Sequence, residues 1–287
     1  MIDEEHDASL KQSEKFRYHA RDIALVRAKN ANIPILMGSA TPSFESLHNS
    51  QIKKYGHVIL KNRFRNTKLP SVTVVDIKKD TTKDGFSSTL IRAIKKELTD
   101  GKQILLFVGR RGFSHTLLCN ICGWTSKCSK CDTHMTFHEY EKKLWCHHCG
   151  AQEKVDLKNV CKCKIESEIV PLGVGTERVE KKANELFPKS KIMRIDSDTI
   201  NNISKLNSFL EKAKNGNIDI LIGTQMLVKG HDFPNLTLVG IIDIDSGLYS
   251  LDFRGIEKIA QMIIQVAGRS GRHSTQGKVI IKTRKPN

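Results

Sequence analysis

No run of apolar residues in this 287-residue chain approaches the ~20 that a membrane-spanning helix requires, and no secretory signal opens it. A cytoplasmic protein with no membrane partner is therefore expected. Internal repeats and low-complexity tracts are also missing, so neither a solenoid nor a disordered tail organises the chain. Cysteine is absent outside Cys119–Cys163. That confinement speaks against a disulfide framework and for metal binding in a reducing compartment. Nor is there a phosphate loop of the form G-x-x-x-x-G-K-[S/T]: Gly101-Lys102 and Gly277-Lys278 lack both the upstream glycine and the following hydroxyl. Acid is the scarcer charge, 31 Asp+Glu against 47 Lys+Arg, for a net +16 and a pI near 9.5. An excess of that size predicts an anionic partner, nucleic acid before a membrane surface, with generic solubility as the plain alternative.

What is present divides into two unequal units. From Val72 onward, short apolar strands alternate with amphipathic helices. Strands are expected at Val72–Asp76, Ile104–Val108, Lys191–Ile195, Ile218–Ile222, Leu236–Ile242 and Lys278–Thr283. Helices are expected at Ser87–Leu98, Thr176–Leu186, Ile203–Ala213 and Ile256–Val266. That alternation predicts an α/β fold with a doubly wound, mostly parallel sheet. The first unit, residues 1–68, is thinner. It has a helix over Arg21–Asn30, a short buried strand at Ile33–Met37, and a helix from Ser43 to about Ser50 with Ser43 as its cap. It reads as the end of a domain; residues 69–287 have strands enough for a complete core.

The cysteines interrupt the second unit. Cys119-x2-Cys122, Cys128-x2-Cys131 and Cys146-x2-Cys149 have zinc-knuckle spacing, and Cys161-x-Cys163 is tighter by one residue. Two such pairs complete one tetrahedral thiolate shell, so eight sulfurs imply two closed structural zinc sites. Closed shells leave no position for a catalytic water, which sets aside a zinc hydrolase. His134, His138, His147 and His148 are then spare donors or surface residues. The module, an insertion spanning 117–165, has almost no apolar core of its own, and metal binding must supply its folding energy. Trp124, Phe137, Tyr140 and Trp145 are either a contact surface for DNA or protein or the module's own packing.

Several short runs carry chemistry. Asp3-Glu4-Glu5-His6 offers one carboxylate for a nucleotide-bridging Mg²⁺ and a second to polarise water; taken alone it is only a solvated acidic terminus. Lys11–His19 mixes cations with Phe16 and Tyr18, as base stacking and phosphate contact require, unless Phe16 merely covers a core. Ser39-Ala40-Thr41 follows a strand about where small hydroxyls could link a nucleotide site to nucleic acid. Ile220–Gly223 runs into a Gly223-Thr224 turn able to offer amides to a phosphate, and Lys229-Gly230-His231-Asp232 follows. Gln265–Arg272 sets Arg269 and Arg272 three apart after a helix, able to reach a γ-phosphate as arginine fingers.

These residues resemble the superfamily 2 helicases, and within them the primosomal replication-restart helicases. The resemblance rests on Asp3–Asp7, Phe16–Asp22, Gly38–Ser43, Arg110–Phe113 and the cysteine block, then on Gly173–Glu177, Arg194–Thr199, Gly223–Pro234, Asp252–Arg254 and Gln265–Arg272. It covers nearly the whole chain. It implies a RecA-like lobe 2 carrying the zinc module, preceded by the end of lobe 1, in an ATP-dependent 3′→5′ DNA helicase. That enzyme would act on abandoned forks with other primosome proteins and single-stranded-DNA-binding protein, and help reload the replicative helicase. Catalysis would fall on Asp3, Glu4, Arg269 and Arg272. ATP and Mg²⁺ would meet Asp3, Glu4, His6, Gly223, Asp232 and Gln265. DNA contact and coupling would fall on Phe16, Arg17, Tyr18, Ser39, Thr41, Arg110, Arg111 and Thr224. The first cysteine pair would share a zinc with the fourth, and the second with the third. The Cys161-x-Cys163 spacing departs from the family's, which points to a strained shell or a further ligand. Without a phosphate loop, the chain alone is expected to hydrolyse no ATP. The competing reading is a non-catalytic, zinc-containing DNA- or primosome-binding module.

Overall fold

The computed structural model describes the chain except residues 13, 15, 62–66, 78–79, 81, 84, 110–115, 120, 132, 139–140, 147, 166–168, 172–174, 197–202, 225–226, 228–232, 243, 246–252, 272–275, 285 and 287. The elements in order are β1 (Ile2–Asp3), α1 (Ala20–Asn30), β2 (Met37–Gly38), α2 (Phe44–Gln51), β3 (Ser71–Asp76), β4 (Thr82–Lys83), β5 (Phe86–Ser87), α3 (Ser88–Thr99) and β6 (Gln103–Phe107). The cysteine-bearing region contributes β7 (Leu117–Cys119), β8 (Thr136–His138), β9 (Lys143–Trp145), β10 (Gln152–Lys154) and β11 (Ile169–Pro171). Then come α4 (Thr176–Leu186), β12 (Ile192–Ile195), α5 (Ile203–Lys214), β13 (Ile220–Gly223), β14 (Leu236–Ile241), α6 (Gly255–Ala267) and β15 (Lys278–Thr283). No helix is long and apolar enough to cross a membrane among the described residues.

One six-stranded sheet, in the order β12-β13-β6-β14-β15-β3, carries the larger unit, and every pairing in it is parallel. Its strands are apolar on both faces because helices cover both. Leu105 and Phe107 of β6, Leu221, Val239, Val279 and Ile281 pack with Leu210 and Ala213 of α5 and Ile259 and Val266 of α6. Their neighbours Ile104, Leu106, Ile220, Ile222, Leu238 and Ile280 pack on the other side with Leu90 and Ile94 of α3 and Val179 and Ala183 of α4. Alternation of side chains along each strand makes this division automatic. The doubly wound parallel sheet expected from the sequence is the one observed, with strand and helix ends displaced by one or two residues.

At the amino edge of the sheet one polar cluster is buried. Glu97 of α3 accepts from Thr237 Oγ1 at 2.5 Å and from Lys278 Nζ at 2.7 Å. Burial pushes the Glu97 carboxyl up, but the bonds from Lys278 and Thr237 hold it below the ordinary range.

The smaller unit departs from expectation at one strand. Ile33–Met37 does not form a buried strand: only Met37–Gly38 pair, with Ile2–Asp3, and Ile33 and Leu36 are 60% and 61% exposed. Two paired residues give a sheet too narrow to cover the apolar side chains leading into it. Ser43 does cap α2, its hydroxyl accepting from Ser46 N.

The cysteine region leaves and rejoins the larger unit through one stem. Strands β7 and β11 pair antiparallel, Leu117 opposite Pro171 and Cys119 opposite Ile169. Beyond the stem, β8, β9 and β10 form a three-stranded antiparallel sheet.

Candidate functional site

The eight cysteines collect into two sets of four, Cys119/Cys122/Cys161/Cys163 and Cys128/Cys131/Cys146/Cys149, with the sulfurs of each set all within 4.8 Å of one another. None is disulfide-bonded. Two of the knuckles bring their pairs together by a tight glycine turn: Gly123 N and Gly150 N donate back to the carbonyls of Cys119 and Cys146, and both glycines have positive φ. A tetrahedral zinc–thiolate shell has sulfur–sulfur edges of about 3.8 Å. Cys128–Cys149 and Cys131–Cys146, each at 3.5 Å, fit that geometry.

The protonation conflict within a set points the same way. Bonds from the Thr133 hydroxyl and amide draw the Cys131 thiol down to about 6. In the same set the Ala151 amide draws Cys149 down, but burial and the neighbouring thiols push it up to about 12. Four thiols this close cannot all ionise alone; a divalent cation removes the conflict and takes all four as thiolates. The Cys161-x-Cys163 pair completes its set without another ligand among the described residues. His134, His138 and His148 stand outside both sets. Of the module's aromatics, Trp124 and Phe137 pack into its small core, Trp145 is 37% exposed, and Tyr140 lies outside the described residues.

The second cluster forms where the smaller unit meets α6. His6 is its centre. Its Nδ1 lies 2.7 Å from Ser39 Oγ and 3.5 Å from Glu4 Oε2, and its Nε2 lies 2.7 Å from Gln265 Nε2 and 3.4 Å from Thr41 Oγ1. An imidazole protonated at Nδ1 satisfies the set: it donates to Ser39 and accepts from the Gln265 amide. Asp3 is exposed, and Glu4 sits at φ +49, its Oε2 buried without a hydrogen-bond partner. Thus Glu4, His6, Ser39, Thr41 and Gln265 occupy one place, with His6 and Gln265 259 positions apart in sequence, and Asp3 pairs with Gly38 next to Ser39. Arg269 follows Gln265 by one helical turn.

Gly223 and Thr224 are elsewhere. They end β13 at the carboxyl edge of the sheet, whereas Gly271 N donates to Leu236 O at the start of β14 and so sets the end of α6 at the amino edge. Gly223 has a packing role of its own. A Cβ there would lie 2.5 Å from Leu227 Cδ1 and 2.6 Å from Ile195 O. Gly223→Ala is expected to cost ~1–3 kcal/mol by overpacking, checked by urea denaturation.

Phe16, Arg17 and Tyr18 are exposed, Phe16 to 84%, so Phe16 covers no core in this chain. Arg110, Arg111, Asp232 and Arg272 lie outside the described residues.

Two sets of polar residues escaped sequence reasoning. Glu5, 2% exposed, accepts from Ser43 N at 2.7 Å and pairs with Arg21 Nη1 at 2.9 Å; Arg21 Nη1 also reaches Ser43 Oγ at 2.7 Å. No spacing announces that triangle. Burial pushes Glu5 up, but the Ser43 amide, Arg21 and the Ser46 and Ser43 hydroxyls hold it below the ordinary range. Glu257 and Gln261 of α6 also reach across, to Phe44 N at 2.9 Å and Thr41 O at 3.3 Å. These had a signal: Glu257, Gln261 and Gln265 recur every four residues on a helix that is otherwise apolar but for Lys258.

Comparison with known proteins agrees with this anatomy. Residues 128–154 match the Cys-rich region of PriA DNA helicase, and residues 160–274 match the helicase conserved C-terminal domain. Parallel sheet, two-sided helix cover and paired thiolate sets together define a RecA-like helicase lobe with an inserted zinc-binding module.

Within that class the chain is similar to PriA along its whole length. It is 46% identical over 287 residues to the replication restart protein PriA of Haemophilus influenzae, covering 100% of this chain and 39% of that one. For the proteins of the same name in Rickettsia conorii and Bacillus subtilis, identity is 43% and 39%, over all of this chain and 44% and 36% of theirs. The chain thus spans about two fifths of the length of the relatives it matches. Among solved structures, S. cerevisiae Dbp5 bound to RNA and ADP BeF3 aligns over 99% of this chain and 52% of its own, at 13% identity and a TM-score of 0.47. RecG bound to a three-way DNA junction aligns over 88% of this chain and 23% of its own, at 13% identity and a TM-score of 0.42.

Proposed function

We propose that the chain carries one part of an ATP-dependent 3′→5′ DNA helicase that unwinds stalled or abandoned forks and helps reload the replicative helicase. The observation that supports it most is the His6 cluster. It joins the acidic segment of the smaller unit, the Ser39–Thr41 loop and the Gln265–Arg269 end of α6, which are the parts a nucleotide-driven motor must move together. With ATP and Mg²⁺ bound, Asp3 and Glu4 would hold the metal and polarise water, and Arg269 and Arg272 would face the phosphates. The Oε2 of Glu4, which makes no hydrogen bond and lies beside His6, and the exposed carboxylate of Asp3 fit that use. Exposed Phe16 and Tyr18 beside Arg17 suit stacked bases and phosphates, and the net +16 suits DNA. Gly223 and Thr224, at the other edge, suit contact with nucleic acid better than with the nucleotide. Primosome proteins and single-stranded-DNA-binding protein are the partners, in the cytoplasm.

The 287 residues contain no phosphate loop, so the grip on the β- and γ-phosphates must be supplied from outside them. The purified chain is therefore expected to bind labelled single-stranded DNA by anisotropy, with affinity falling steeply as salt rises, yet to show no DNA-stimulated ATP hydrolysis above background. Turnover stimulated by DNA in this chain would refute the second expectation. Failure to bind DNA at low salt would refute the first.

A further inference from the structure

Two consecutive amides at the start of α2 are held by two different buried carboxylates. Ser43 N donates to Glu5 Oε1 at 2.7 Å, and Phe44 N donates to Glu257 Oε1 at 2.9 Å. Glu5 belongs to the acidic segment of the smaller unit. Glu257, 6% exposed, belongs to α6 of the larger one. Around it α6 presents a continuous polar stripe. Arg254 pairs with Glu45, Glu257 takes Phe44 N, Gln261 Nε2 reaches Thr41 O at 3.3 Å, and Gln265 meets His6 at 2.7 Å. Spacings of three, four and four residues put these on one side of the helix. Ile259, Val266 and Ala267 of the same helix pack into the sheet core.

The two carboxylate contacts differ in what happens when they break. Parting Glu5 from Arg21 would leave a charge stranded in the interior, so that triangle is a fixed joint. Phe44 is 58% exposed and the Arg254–Glu45 pair lies at the surface, so parting Glu257 from Phe44 N lets water reach the freed groups. The loop from Gly38 to Phe44 is thus tied to the smaller unit permanently at Ser43 and to α6 reversibly at Thr41 and Phe44.

We propose that Glu257, with Gln261 and Arg254, is a latch that fastens this loop to α6, so that movement of the loop on binding single-stranded DNA is delivered to Gln265 and Arg269 at the helix end. Glu257 is a positioning residue, acting through α6. The relay rests on the reading of Ser39 and Thr41 as a nucleic-acid-coupled loop; the latch itself rests on the contacts.

Hydrogen exchange on the purified, zinc-replete chain, with and without a single-stranded oligodeoxythymidylate, tests both. Glu257→Ala is expected to speed exchange at the Phe44 amide roughly five- to tenfold, as loss of one hydrogen bond does. Glu257→Gln, whose side-chain carbonyl accepts the same bond, restores the slow rate. Oligonucleotide is expected to change exchange in residues 38–44 and in residues 262–270 of the parent. In Glu257→Ala the first response remains and the second is lost. An unchanged Phe44 rate in Glu257→Ala, or no rescue by Gln, overturns the latch. A loop response in the parent without one at 262–270, or a 262–270 response that persists in Glu257→Ala, overturns the relay. If the oligonucleotide alters neither segment, the nucleic-acid reading of the loop and the relay with it fall, while the Phe44 rates still decide the latch.

Discussion

Serine in place of Cys146 is expected to leave the chain with one equivalent of zinc instead of two and to unfold the half of the module around Cys128–Cys149. The buried apolar residues available to that region are few, chiefly Leu117, Met135, Leu144 and Ile169 beside the cysteines themselves. Structural zinc contributes on the order of 10 kcal/mol or more of folding energy per site in small metal-bound domains, far more than that cluster can. Cys146 is fully buried and its sulfur lies 3.0 Å from Thr133 Oγ1, so its loss opens both the shell and the hydroxyl contact that supports it. Metal analysis gives the stoichiometry, and hydrogen exchange gives the extent of unfolding. Residues 128–154 should lose protection while β6 and β14 keep theirs, because the module touches the sheet's unit through the two-strand stem of β7 and β11. Loss of protection in the six-stranded sheet together with the module would show that the two fold as one, against the insertion drawn here.

Removing one partner of the Glu5–Arg21 pair is expected to be the most damaging single change in the smaller unit. Both side chains are almost wholly buried, at 2% and 7% exposure, and Arg21→Ala leaves an uncompensated carboxylate beside the α2 cap. Breaking such a pair costs ~3–5 kcal/mol. The measurement is hydrogen exchange over α1 and α2, where protection should fall sharply. Acid gives a second test. The Glu5 carboxyl is held below its ordinary range in the folded chain. Its contribution is therefore complete above the unfolded value of ~4.3 and is lost as pH falls through the lower folded value. Stability of this unit should decline between about pH 4.3 and more acid conditions in the parent, and that part of the decline should be missing in Glu5→Gln. An identical acid slope in the two proteins would sink the assignment.

The legibility of this chain varied with the kind of order involved. Continuous apolar runs such as Ile104–Leu106 and Ile220–Ile222 announce strands covered on both faces, and the sheet follows from them. The four cysteine pairs announce two metal shells because one or two residues of separation fix a thiolate pair locally. Ile33–Met37 misled because apolar composition records only that a segment wants cover. Whether cover exists depends on how many strands pair with it, and here β2 has one short neighbour. The aromatics of the zinc module could not be sorted at all by composition. Phe137 and Trp145 differ only in which face of β8 or β9 they occupy, one inward and one exposed.

Sequence by itself determined the parallel sheet and the eight cysteines that gather into two metal-ligating sets, and it offered candidate segments for nucleotide and nucleic acid, because each is written in local spacing. The tertiary structure alone decided the company those segments keep. It set Gln265 against His6 across 259 positions, gave one buried carboxylate to Ser43 and another to Phe44, and sent Gly223-Thr224 to the far edge of the sheet. Those pairings depend on where folded elements carry their polar atoms, and a buried polar atom must find a partner wherever the packing leaves one.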